Sequence, residues 1–65
     1  MVMSGTGRIA RLQYLPGTFR VLTNGVHVVC AVTGVEIPLH ELRYWSVERQ
    51  EAYVDAEASL RAERG

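Results

Sequence analysis

Three side chains in this 65-residue chain could ligate a soft metal ion: His27, Cys30 and His40. They are one short of a closed structural zinc site unless Glu36 or Glu41 joins them. On a regular strand His27 and Cys30 stand an odd number of positions apart and point to opposite faces, so a shared ion would require a bulge between them. The expectation is no metal and no cofactor, with Cys30 buried and inert and His27 at the surface. As a nucleophile Cys30 lacks an activating partner on its own face, and its β-branched neighbours would raise the thiol pKa. Glu48, Glu51, Asp55 and Glu57 lie close together, but acids on a helical segment form a solvated face. No glycine-rich loop has the strand-to-helix spacing that cradles phosphate. The reading is of a protein that is not an enzyme.

Interaction chemistry is better represented. Tyr44 and Trp45, flanked by Arg43 and Arg49, combine the residue types that anchor interfaces or stack on bases. The competing role is packing, with Trp45 and Tyr53 pinning a helix to a sheet. Seven arginines balance seven acidic residues and lysine is absent, so the net charge is zero with neutral histidines. A basic face of the kind that binds phosphates could arise only if the arginines were segregated on one side.

The elements that must position these residues follow from turn signals. The first seven residues read as a disordered tail and residues 8–65 as one small domain. Arg8 to Tyr14 alternates as a half-buried strand, and Leu15-Pro16-Gly17-Thr18 suits a type II turn. Thr18 to Leu22 is a second strand, followed by Asn24-Gly25, the strongest type I′ hairpin signal in the chain. Val26 to Val32, rich in β-branched residues, is expected to be the central strand. Thr33-Gly34 turns into a short strand, Val35 to Ile37, which Pro38 must end or confine to an edge. Leu39 to Trp45 fits either a helical turn opened by Pro38 or a strand from Glu41. Ser46 could cap a helix beginning near Val47, and Asp55 could recap a second short one. The fold class is α+β: a small antiparallel meander of three to four strands followed by a C-terminal helical segment.

A single cysteine excludes an internal disulfide, so a domain this small must rely on packing or association. The chain has neither a signal-like apolar start nor a run of membrane-spanning length, and the expectation is a cytoplasmic protein with no membrane partner.

The stretch Cys30-Ala-Val-Thr-Gly34, then Ile37-Pro-Leu39, then Glu41-Leu-Arg-Tyr-Trp-Ser-Val-Glu-Arg-Gln-Glu-Ala-Tyr53, resembles a family of short bacterial proteins catalogued as domain of unknown function 2093. The resemblance implies a small bacterial protein without assigned catalysis or cofactor, and it carries over no functional residue. Cys30-x-x-Thr33-Gly34 is also similar to half of a zinc ribbon whose other ligands are missing. The functional expectation is a protein-interaction module, binding an unknown protein partner or a second copy through a sheet edge or through Arg43, Tyr44, Trp45 and Arg49. The alternative is a nucleic-acid-binding domain resembling a degenerate zinc ribbon.

Overall fold

The computed structural model describes residues 8–64; the tail expected over the first seven residues lies outside them. The class is α+β, with six short strands paired into three antiparallel two-stranded sheets and one C-terminal helix.

The first pair joins β1 (Arg11–Leu15) to β2 (Thr18–Thr23) through Pro16-Gly17, with Leu15 opposite Thr18. Gly17 has φ +75° and Pro16 has no positive φ, which is the type II pattern read from the sequence. The register slips between Arg11 and Leu12, leaving Leu22 as the extra residue of a bulge. Leu12 and Tyr14 are buried, while Arg11 and Gln13 face solvent.

Asn24-Gly25 does not form a hairpin: β2 pairs with β1 alone, and neither Asn24 nor Gly25 has positive φ. Gly25 instead permits a close backbone crossing. A Cβ there would lie 2.4 Å from the Ala10 nitrogen and 2.7 Å from the Arg8 carbonyl oxygen. The contact allows Val26 N–H to donate to Arg8 C=O at 2.9 Å and Ala10 N–H to donate to His27 C=O at 2.7 Å.

The second pair is β3 (His27–Val29) with β4 (Glu36–Pro38). β3 is shorter than the expected Val26 to Val32 because a turn begins at Cys30. Gly34, at φ +78°, donates its N–H to Cys30 C=O at 3.0 Å, and Thr33 N–H donates to Cys30 Sγ at 3.4 Å. After Pro38 the segment takes the helical turn first, and the strand expected from Glu41 to Trp45 begins only at Tyr44 and runs to Ser46. Leu39–Glu41 forms one 3-10 turn, then β5 (Tyr44–Ser46) is extended.

The helix expected from Val47 is replaced by a hairpin, with β5 antiparallel to β6 (Glu51–Tyr53). Ser46 Oγ accepts the Arg49 N–H at 3.0 Å, so it caps the four-residue loop rather than a helix. Gln50 ends that loop at φ +55°, where a non-glycine side chain is uncommon. Its carboxamide explains the conformation: Oε1 accepts Tyr14 N–H at 2.8 Å, and Nε2 donates to Tyr14 C=O at 2.9 Å and to Val47 C=O at 2.7 Å. The one α-helix among the described residues is α1 (Ala56–Arg64), and Asp55 is its cap, with Oδ1 accepting Ala58 N–H at 2.8 Å.

The core collects Ala10 just before β1, Leu12 and Tyr14 of β1, Val28 of β3 with Cys30 just beyond it, Ile37 of β4, and Leu42, Ala52, Tyr53 and Ala58. Each hairpin supplies only a few of these, so none could bury its face without the others.

Two outcomes follow for urea unfolding. Gly25→Ala is expected to destabilise more than Gly17→Ala: the former meets backbone, whereas the latter has open space and carries only the left-handed penalty of about 1–2 kcal/mol. Gln50→Ala should cost about 2–3 kcal/mol, because it breaks three hydrogen bonds and leaves part-buried backbone groups unpaired.

Candidate interaction surface

The alternation of β5 sends Tyr44 to one face and Trp45 to the other. Tyr44 is 41% exposed, and Arg43 beside it is also exposed. Trp45 is half-buried against the first hairpin. Its ring stacks on Tyr14 with centroids 6.2 Å apart and meets Phe19 edge-on at 5.7 Å, while Nε1 donates to Leu15 C=O at 2.9 Å. Trp45 therefore fastens the third hairpin to the first, and Tyr53 is the aromatic residue buried in the core near the helix. Arg49 reaches the other way, its guanidinium donating to Ala62 C=O in the last turn of α1, where a cation complements the helix dipole. Of the four candidate interaction residues, Arg43 and Tyr44 are left facing solvent, and Trp45 and Arg49 hold elements together.

His27 is buried rather than at the surface, 7% exposed, because the close crossing at Gly25 lays residues 8–10 against it. Its Nε2 lies 3.7 Å from Glu36 Oε2, and exposed His40 lies 3.6 Å from Glu41. Among the described residues no three His, Cys, Asp or Glu side chains are arranged to hold a metal ion. Cys30 is 2% exposed. Burial pushes its thiol up, but hydrogen bonds from the Thr33 side chain and from the backbone of Thr33, Val32 and Val54 outweigh burial and leave it below its ordinary value. This reverses the direction expected from its β-branched neighbours, because the Thr33 side chain and backbone groups of the turn and of Val54, which composition does not show, converge on the sulfur.

The first hairpin offers a different surface. Leu15 and Thr18 close a two-residue loop and so exchange both hydrogen bonds, as do Gln13 and Arg20. The same alternation turns the N–H and C=O groups of Tyr14 away from β2, and those of Phe19 and Val21 away from β1. Gln50 satisfies Tyr14 from one side. On the other side, β2 pairs with no strand beyond β1 among the described residues. Its six residues form the longest strand, every position but half-buried Phe19 is exposed, and Val21 and Leu22 are 47% and 57% exposed.

The charge on this hairpin has one sign. Arg8, Arg11 and Arg20 are the charged residues before Glu36, so all seven acids belong to the second half of the chain. Arg11, Gln13 and Arg20 share the outward face, and among the described residues neither arginine is paired with a carboxylate. No signal of local sequence marked this surface. Its openness depends on strand pairing, and its sign is concealed by a net charge of zero.

Small α+β architecture and an open, cationic hairpin describe the class of protein. Residues 21–62 match the family described as an uncharacterized protein conserved in bacteria (DUF2093), and the chain belongs to that family. The match begins within β2 and runs into α1. No curated protein and no solved structure matches the chain. No helix among the described residues is long and apolar enough to cross a membrane.

Tyr14 supplies a pH signature. Burial raises its phenol above the ordinary value of 10.0. A raised folded-state pKa contributes stability that is complete below the unfolded value and is lost as pH rises through the folded value. Relative to Tyr14→Phe, the wild-type protein should therefore lose stability as pH climbs through and beyond 10.0, measured as the difference in urea midpoints between the two proteins.

Proposed function

We propose that this protein is a non-enzymatic, cytoplasmic interaction module that binds a protein partner by receiving an extended segment on the free edge of β2. The observation that carries the reading is the pair of outward-facing backbone units at Phe19 and Val21, two donors and two acceptors on the longest strand. Strand addition uses such groups for affinity and the flanking side chains for selectivity. The other outer edges are less suitable: β4 and β5 each have three residues, and β4 ends in Pro38.

One observation favours a second reading, nucleic-acid binding. A hairpin whose charged residues are all arginine could contact phosphates, with exposed Tyr44 as a stacking residue. Its charge is modest, and the acidic remainder of the chain would oppose a polyanion that extends beyond the hairpin.

Val21→Pro separates these readings. It removes one outward N–H and leaves every hydrogen bond to β1 intact, because proline is tolerated where the N–H faces away from the ladder. A tagged pulldown from bacterial lysate, run with and without nuclease, is expected to retain a nuclease-resistant protein with the wild type and to lose it with folded Val21→Pro. An eluate rich in nucleic acid, with all retained proteins lost on nuclease treatment, would establish the second reading instead.

A further inference from the structure

We infer that the segment received by β2 alternates acidic and aliphatic side chains; this deepens, and rests on, the edge-pairing reading above. An antiparallel strand added to β2 bonds at Phe19 and Val21, so the residue opposite Arg20 occupies a position that makes no backbone bond, where facing side chains approach most closely. That residue lies on the outward face, beside Arg20 and Gln13 and near Arg11, where the hairpin has no carboxylate. Its neighbours on the added strand fall on the opposite face, beside half-buried Phe19 and exposed Val21. An acid therefore belongs on one face and an aliphatic residue on the other.

The same geometry selects against a second copy of this chain. In a two-fold antiparallel pairing of β2 with itself, the register that uses all four outward groups sets Phe19 against Val21. It also places Arg20 directly opposite its own counterpart, and facing like charges are destabilising. The bulge at Leu22 further limits the length of edge that a copy could share. Arg20 thus discourages self-pairing and attracts a carboxylate with one side chain.

Two synthetic peptides test the inference: acetyl-Glu-Val-Glu-Val-Glu-Val-amide and its counterpart with lysine in place of glutamate, each titrated against the isotope-labelled full chain. The acidic peptide is expected to shift the amide resonances of Phe19 and Val21 and to bind more weakly as salt is raised. Arg20→Glu, at an exposed site that spares the core, should weaken the acidic peptide roughly tenfold and favour the lysine peptide. Equal binding of both peptides at β2 would keep the edge-pairing reading and overturn the acidic assignment. If neither peptide shifts those amides, the acidic assignment fails. A single-stranded oligonucleotide that shifts them in place of both peptides would overturn the edge-pairing reading as well.

Discussion

The structure turns on one carboxamide. Gln50, drawn into a left-handed conformation at the end of the third hairpin's loop, presents its amide to Tyr14 as a neighbouring strand would, accepting from the N–H and donating to the C=O. A side chain thereby closes the inner edge of β1 across 36 residues of sequence. Trp45 reinforces the junction one residue further along β1, with an indole hydrogen bond to Leu15 and ring contacts to Tyr14 and Phe19. Without this junction β1 would present unpaired backbone on its inner side, and its hairpin would keep the crossing near Gly25 and the packing of Leu12 and Tyr14 to hold it to the remaining core.

That arrangement also makes the first hairpin asymmetric. The inner strand is closed by a glutamine, a tryptophan and the bridge to His27, and the outer strand is left unpaired. Exposed edges invite association, and natural proteins guard them with charge or bulges. β2 has both, in Arg20 and Leu22. Each guard restricts which strands can pair with the edge while leaving it open.

Local chemistry made part of this legible in the sequence. Proline followed by glycine specifies the β1–β2 turn, Asp55 specifies the start of α1, and the strand-then-helix order specifies α+β. Two signals misled for physical reasons. Asn24-Gly25 signals a turn through glycine's conformational freedom, whereas the fold uses the missing side chain of Gly25 to admit Ala10. Ser46 signals a helix start, because nothing about Gln50 announces a left-handed residue whose compensation lies at Tyr14. The candidate surface was harder still. Arg43, Tyr44, Trp45 and Arg49 are adjacent by number, but β5 and its loop send them to separate duties. The free edge of β2 depends on long-range pairing: the second half of the chain closes β1 through Gln50 and adds no strand to β2 among the described residues.

Amide hydrogen exchange of the free protein, resolved residue by residue, tests the open edge most directly. The account predicts little protection at Phe19 and Val21, whose N–H groups face solvent, and clear protection at Tyr14, held by Gln50, and at Arg20, held by the ladder. Strong protection of Phe19 and Val21 in the free chain would mean that the edge is already covered, and would contradict it.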